Sequence, residues 1–209
     1  MPLDIWLAFC LASFVLLIIP GPTIMLVVTY ALAQGRRAAV PTVIGTALGD
    51  FVAMTASLAG LGVLLSASAL AFTVLKWVGG AYLVYLGVRL WMAEVQPIEV
   101  AGDVLAPKSD RAMLGHAFLV TALNPKSIVF FVAFLPQFIT AGEPLFAQLA
   151  IMEASFLVLA TVNAAAFAVI AGGARAAIRQ RHVLRWVNRA GGSVLIGAGI
   201  AAIAVKRAG

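Results

Sequence analysis

Three charged side chains lie within long apolar stretches of the sequence, and they are the residues most able to do chemistry. Asp50 lies in the second stretch, Lys126 in the fourth and Glu153 in the fifth. A charge in hydrocarbon is costly, so a charge retained there usually serves a function. A carboxylate at such a depth can exchange a proton when its surroundings change, as a proton-coupled carrier requires. A fixed ion pair with Lys126 that holds helices together is the structural alternative.

Two proline-containing breaks interrupt the apolar stretches. Pro20-Gly21-Pro22 lies in the first stretch and Asn124-Pro125 in the fourth, directly before Lys126. Proline removes a backbone donor and ends a regular helix, which leaves free amide N–H groups at the start of the next half-helix. Such a start carries partial positive charge and can bind a carboxylate, and Thr23 adds a hydroxyl beside the first break. A simple kink is the alternative interpretation.

The breaks and the charges together define a candidate site. Asn163, in the fifth stretch, could hydrogen-bond a substrate or only another helix. No arrangement of Ser, Cys or His for nucleophilic catalysis is visible, and neither histidine has a spaced partner for a metal. We therefore expect no enzyme activity, no cofactor and no metal site. The residues predicted to bind substrate or proton are Gly21, Pro22, Thr23, Asp50, Asn124, Lys126, Glu153 and Asn163.

The composition predicts that membrane-spanning helices hold these residues. The chain is 63% hydrophobic and 11% charged, with a mean hydropathy of +1.07, whereas a soluble domain is about half apolar and about a quarter charged. The apolar runs are continuous, which excludes the alternating pattern of barrel strands. A transmembrane helix needs about twenty mostly apolar residues. We predict an all-α integral membrane protein with six transmembrane helices, at roughly 5–32, 39–66, 69–93, 113–140, 146–173 and 184–205.

A polar connector at 94–112 divides the predicted helices into two groups of three. It separates repeat 1, at about 1–93, from repeat 2, at about 113–209. An odd number of helices per repeat puts the two repeats in opposite orientations across the membrane, as in many secondary transporters. We therefore predict a single transmembrane transporter domain, 1–209, built from two inverted three-helix repeats.

The unusual residues of the two halves correspond. Laying the second half on the first places Pro125 on Pro22 and Glu153 on Asp50, at the same interval in both halves. The third helices do not share the pattern. The overlay predicts that a proline breaks the first helix of each repeat and that an acid lies within the second.

The net charge of +6 indicates membrane topology rather than a nucleic-acid partner. Nucleic-acid binding needs bases clustered with aromatic residues on a solvent face, whereas these bases lie between apolar stretches. By the positive-inside rule, connectors one, three and five are cytoplasmic and both termini lie outside. The bases in these connectors are Arg36, Arg37, Arg89, Lys108, Arg111, Arg175, Arg179, Arg181, Arg185 and Arg189, while Lys206 and Arg207 lie near the C-terminus.

Gly45 and Gly49 have the spacing that allows two helices to approach closely. We interpret them as packing residues. Faces of this kind permit a homodimer, but they would pack equally well within one monomer.

Several motifs, in a consistent order along the chain, resemble the LysE/RhtB family of bacterial amino-acid exporters, in its homoserine and threonine branch. The resemblance implies export of small amino acids or close derivatives across the bacterial inner membrane by proton exchange. Many relatives carry an acid in the fifth helix where this chain has Asn163, which leaves Glu153 or Asp50 to supply protonation. The motifs are Pro20-Gly21-Pro22, Gln34-Gly35-Arg36-Arg37-Ala38, Gly45-Thr46-Ala47-Leu48-Gly49-Asp50, Leu75-Lys76-Trp77-Val78-Gly79-Gly80-Ala81-Tyr82-Leu83, Asn124-Pro125-Lys126 and Phe134-Leu135-Pro136-Gln137-Phe138.

The expected mechanism is alternating access around one site. The substrate carboxylate would meet the half-helix N-termini and Lys126, while Asp50 would bind the amino group or the driving proton. Three alternatives stay open at this point. A metal-cation exporter would need more intramembrane acids, a thiol oxidoreductase would need a partner for the single cysteine, Cys10, and a non-transporting scaffold or membrane enzyme would leave the breaks and charges without a role.

Overall fold

A computed structural model describes residues 1–19, 21–67, 69–92, 108–140, 142–173 and 181–204. The described residues form helices joined by short segments. The elements are α1 (Leu3–Ile18), α2 (Pro22–Gln34), a 3-10 turn (Gly35–Ala38), α3 (Ala39–Ala67), α4 (Ala69–Met92), α5 (Asp110–Ala122), α6 (Pro125–Val129), a π-helical segment (Phe130–Phe134), a 3-10 turn (Leu135–Phe138), α7 (Leu145–Gly173) and α8 (Arg181–Ala204).

The helical class predicted from composition is confirmed for the described residues, which include no strand. Three described stretches are long and apolar enough to cross a membrane: Pro22–Gly60, Asp110–Phe138 and Leu145–Ala171. The count of six spans and the inverted repeats stay predictions. Pro20, most of the connector at 94–112, and the bases Arg175, Arg179, Lys206 and Arg207 lie outside the described residues.

Both predicted helix breaks are present, and proline begins the helix after each of them. Pro22 is the first residue of α2, after an extended Gly21, and Pro125 is the first residue of α6, after an extended Asn124. Proline suits this position because its fixed φ is helical and its missing N–H would have no partner in the first turn. The segment before each proline is extended, so α1 and α5 end short of it.

The second break leads into an irregular segment that the sequence pattern did not predict. After the single turn of α6, the Phe130–Phe134 segment is π-helical and a 3-10 turn follows. Phe130 and Phe131 pack against Phe156 of α7, with ring centroids 6.2 and 4.8 Å apart. π-helical turns often occur at functional sites, and this one connects the break at Asn124 to an aromatic cluster.

α3 and α5 pack in close backbone contact at Gly45 and Gly49. A Cβ on Gly49 would lie 2.7 Å from the Phe118 carbonyl oxygen, and a Cβ on Gly45 would collide with the Leu114 carbonyl oxygen. The packing interpretation of these glycines is therefore confirmed. Because this face is used within the chain, a homodimer would need another surface.

We expect Gly49→Ala to lower the free energy of unfolding by about 1–3 kcal/mol, because the added methyl group overpacks the contact with α5. Gly115→Ala is the matched control, since a Cβ on Gly115 of α5 meets no atom within 4 Å. Thermal unfolding of the two purified variants measures both effects. Equal melting temperatures for Gly49→Ala and the wild type would contradict the close α3–α5 contact.

Candidate functional site

A small cavity lies where the two helix breaks meet α3 and α7. Its free space is about 20 Å³, which is room for about one water molecule. An amino acid would therefore fit only after the surrounding helices move. The lining residues are Leu16, Leu17, Gly21, Thr23, Ile24, Thr46, Asp50, Asn124, Lys126, Ser127, Ala160 and Asn163.

Two buried polar side chains on α3 face this cavity. Asp50 is 3% exposed and Thr46 is 2% exposed, and they lie one helical turn apart on the same face. The Thr46 hydroxyl has no hydrogen-bond partner among the described residues. Asp50 likewise makes no hydrogen bond within the described chain, although it interacts electrostatically with Lys126. These two groups are available to a ligand.

Lys126 binds the end of α1. Its ammonium group donates to the carbonyl oxygens of Leu16 at 3.1 Å and Ile19 at 2.9 Å. These carbonyls belong to the helix C-terminus, where free acceptors and partial negative charge favour a cation. Two of the three donors of the Lys126 ammonium group are therefore used to hold the end of α1.

Gly21 gives Lys126 the space to reach these carbonyls. A Cβ at Gly21 would lie 3.2 Å from the Lys126 Nζ and 3.3 Å from its Cε. The lysine side chain therefore passes across the first break. The glycine at this break matters because of this close approach, since its backbone is extended and open to any residue.

Hydrogen bonds join the two breaks directly. The Thr23 hydroxyl oxygen accepts from the Asn124 amide at 3.2 Å and lies 3.2 Å from the Thr121 hydroxyl. Asn124 also caps α6, because its Oδ1 accepts from the backbone N–H of Lys126 at 3.1 Å. The starts of α2 and α6 therefore lie side by side at the cavity.

Asn163 bonds another helix and also faces the cavity. Its amide donates to the Leu17 carbonyl oxygen at 3.0 Å and thereby joins α7 to α1. The residue also lines the cavity. Its amide oxygen remains an acceptor on this wall.

Glu153 lies apart from the cavity. Its carboxylate accepts a hydrogen bond from the Thr55 hydroxyl at 2.5 Å, across the α3–α7 contact, and it does not line the cavity. The overlay of the two halves paired Glu153 with Asp50, but only Asp50 reaches the site. The acid on α3, Asp50, therefore faces the cavity, whereas the acid on α7, Glu153, does not.

The structure brings together six of the predicted site residues: Gly21, Thr23, Asp50, Asn124, Lys126 and Asn163. Pro22 begins the helix beside them. Sequence reasoning missed the hydroxyls of Thr46 and Ser127. Their signals were weak but present, since Thr46 lies one turn before Asp50 and Ser127 directly follows Lys126.

Two packed side-chain clusters border the cavity. One contains the aromatic rings, in which Phe9 packs against Phe138 with centroids 5.4 Å apart, and it reaches the cavity wall at Leu16. In the other, Ile24 and Val28 of α2 pack against Ala171 of α7, and Ile24 also lines the cavity.

The donor set suits a small zwitterion. The Asp50 carboxylate, the Lys126 ammonium group and several hydroxyl and amide groups surround the space. Within the described residues, no group of three or more His, Cys, Asp or Glu side chains lies close enough together to hold a metal ion.

Comparison with known proteins identifies the family of the chain. A family model described as "LysE type translocator" matches residues 14–205. The homoserine/homoserine lactone efflux protein of Salmonella typhimurium is 36% identical over 207 residues, which are 95% of this chain and 96% of that protein. An uncharacterized membrane protein of Vibrio cholerae is 31% identical over 200 residues, 96% of this chain and 97% of its own. No solved structure matches the chain significantly.

The match spans most of the chain and includes the residues on both helix breaks, α3 and α7. The chain therefore belongs to the LysE type translocator family, as its motifs indicated, and is a membrane transport protein rather than an enzyme.

Proposed function

We propose that this protein exports amino acids or close derivatives across the bacterial inner membrane by proton antiport. The observation that carries the proposal is Asp50, a buried carboxylate with no hydrogen bond to any residue that the structure describes. It faces a cavity that Lys126 and two broken helices also line. A relative named homoserine/homoserine lactone efflux protein supports this substrate class.

The amino group of the substrate binds at Asp50 and Thr46. Asp50 supplies the opposite charge, and the Thr46 hydroxyl can accept a hydrogen bond from an ammonium group. Both lie on one face of α3. A substrate without an amino group would leave Asp50 buried and unpaired, which is costly.

The carboxyl end of the substrate binds at the start of α2 and at Lys126. The third donor of the Lys126 ammonium group bonds no described residue, after two bonds to α1, and the first amides of α2 add partial positive charge. One N–H of Lys126, together with the first backbone amides of α2, can bind either a carboxylate or a single carbonyl oxygen. An amino-acid lactone or ester therefore fits the same site.

Substrate export is coupled to proton entry because the substrate and a proton compete for Asp50. A proton that enters from outside neutralises the carboxylate and releases the ammonium group, and loss of that proton to the cytoplasm restores the site. Glu153 is less suited to this exchange because its carboxylate is bonded to Thr55, away from the cavity.

Alternating access moves two inverted repeats of three spans about this cavity. The basic connectors are cytoplasmic and both termini lie outside. The small volume of the cavity supports such a motion, because a bound amino acid needs more space than one water molecule.

A thermal-shift panel on purified protein tests the proposal. We expect homoserine and homoserine lactone to raise the melting temperature, because a ligand at about a hundred times its Kd adds about 2.7 kcal/mol of stability. N-Acetylhomoserine is the matched control ligand, since it lacks the ammonium group and should give no shift. Stabilisation by a divalent cation and by no amino acid would overturn the proposal in favour of a metal exporter.

A further inference from the structure

We propose that the substrate leaves the cavity along the contact between α1 and α7. The contact, named here the α1–α7 seam, consists of Trp6, Cys10, Ser13 and Leu17 on α1 with Ser155 and Asn163 on α7. The inference rests on the proposed function, because it names the path that a substrate of the same site would take.

Polar groups of α1 are concentrated on the face toward α7. Trp6 donates its indole N–H to the Ser155 hydroxyl at 2.9 Å, and Cys10 lies one helical turn after Trp6. Leu17 accepts from Asn163 through its carbonyl oxygen. The spacing of these positions places them on one stripe of the helix.

A neighbouring face of α1, about a quarter-turn around the helix from this stripe, is apolar and exposed. Leu3, Leu7, Leu11, Phe14 and Ile18 are 68%, 52%, 65%, 47% and 37% exposed. This face suits contact with lipid, since it has no polar group to satisfy. Polar side chains on the α7 side therefore serve the interior of the protein.

Ser13 is the residue that favours a pathway over a static packing surface as the interpretation of the α1–α7 seam. It lies on the same stripe, between Cys10 and Leu17, and it is 0% exposed. Its hydroxyl has no hydrogen-bond partner among the described residues. Buried hydroxyls in folded proteins are normally bonded to protein or water, so this group fits a seam that opens to water or substrate.

The seam has the length and position that an exit path needs. At the Leu17 end it reaches the cavity wall, which Leu17 and Asn163 also form. From Leu17 to Trp6 an α-helix rises about 16 Å, which is roughly half the hydrocarbon thickness of a bilayer. A seam that starts at a mid-membrane cavity therefore reaches the membrane surface near the α1 N-terminus.

The seam is closed in this structure. The Trp6–Ser155 hydrogen bond joins its outer end, and Phe9 packs beside it against Phe138. Separation of α1 from α7 would break the Trp6–Ser155 and Asn163–Leu17 hydrogen bonds. It would expose Ser13 and would expose more of Cys10, which is half-buried in this structure. Opening therefore alternates with the closed state during transport.

Cysteine labelling tests the seam, because Cys10 is the single cysteine of the chain. Vesicles that hold the full-length protein in its cellular orientation are treated from outside with a membrane-impermeant methanethiosulfonate reagent, with and without homoserine inside. Modification is read by mass spectrometry. Only a hydrated thiol ionises and reacts.

We expect Cys10 to react at least about tenfold faster when homoserine is present inside, because export opens the seam. Ser13→Cys in a Cys10→Ser background should behave in the same way. Leu11→Cys in that background is the matched control, since it lies at the same depth on the lipid face of α1, and it should stay unmodified.

Equal rates for the Ser13→Cys and Leu11→Cys proteins would overturn the seam as a path, as would modification from the cytoplasmic side alone. Failure of the proposed function gives a different result, since homoserine would then neither leave the vesicles nor change any labelling rate. Homoserine efflux without labelling of either seam cysteine would retain the exporter and reject the exit path.

Discussion

Asp50→Asn is expected to reduce proton-driven amino-acid efflux by at least about thirtyfold. Removal of one partner from a buried charge interaction costs about 2–5 kcal/mol, and each 1.4 kcal/mol corresponds to about tenfold in binding. The asparagine is nearly the same size, so the cavity between α3, α6 and α7 should keep its shape. Efflux from loaded proteoliposomes under an imposed pH gradient measures the change.

Glu153→Gln is the matched control for Asp50→Asn. It neutralises the other candidate acid, which bonds Thr55 and does not line the cavity, so efflux should stay within about threefold of wild type. A severe loss in Glu153→Gln with normal efflux in Asp50→Asn would move the proton site to the α3–α7 surface. That pattern would contradict the assignment of coupling to Asp50.

Exchange without a gradient separates the two possible roles of Asp50. If its carboxylate binds the ammonium group, Asp50→Asn loses exchange of internal for external amino acid together with gradient-driven efflux. If it carries only the proton, exchange persists while net efflux is lost. The competition that we propose for Asp50 predicts loss of both activities.

Lys126→Met is expected to destabilise the protein and to abolish transport. The substitution leaves the carbonyl oxygens of Leu16 and Ile19 without their donor and removes the positive charge near Asp50. We expect a loss of about 3–5 kcal/mol in the free energy of unfolding, because an uncompensated buried charge remains. Thermal unfolding in detergent gives the stability, and proteoliposome efflux gives the activity.

The double variant Asp50→Asn/Lys126→Met tests the reason for that loss. Removal of both charges should lower the free energy of unfolding by less than the sum of the two single losses. In the double variant, neither Asp50 nor Lys126 is left buried without the other's charge. Strict additivity would contradict the electrostatic interaction between the two residues. It would leave Lys126 with the single role of holding the end of α1.

The helix breaks and Asp50 could be predicted from sequence, because each follows from the chemistry of a single residue type. Proline restricts its own backbone and removes its N–H wherever it occurs, so Pro22 and Pro125 indicated where new helices begin. Asp50 stood out because a charge in an apolar helix is costly. Gly45 and Gly49 indicated close packing through their spacing, although only the structure identified α5 as the partner.

The surroundings of Glu153 and Lys126 were not predictable, because they depend on how the helices are rotated and packed. An overlay of the two halves compares positions along the chain, and it cannot say which face of α7 turns toward the cavity. Asn163 lies on that face and Glu153 does not. The contact of Lys126 with the end of α1 likewise joins residues far apart in sequence.

The π-helical segment was not predictable for another reason. Its five residues are a run of apolar side chains, Phe130 to Phe134, that an α-helix would accommodate equally well. Packing of its aromatic rings against Phe156 favours the wider turn. The segment joins the break at Asn124 to the aromatic cluster.

Homoserine efflux from proteoliposomes, with the outside acidified or at the internal pH, tests the central claim most directly. We expect the acidic exterior to accelerate homoserine efflux. We also expect protons to enter as homoserine leaves, which an internal pH-sensitive dye would report. Efflux at the rate of protein-free liposomes, under either condition, would contradict it.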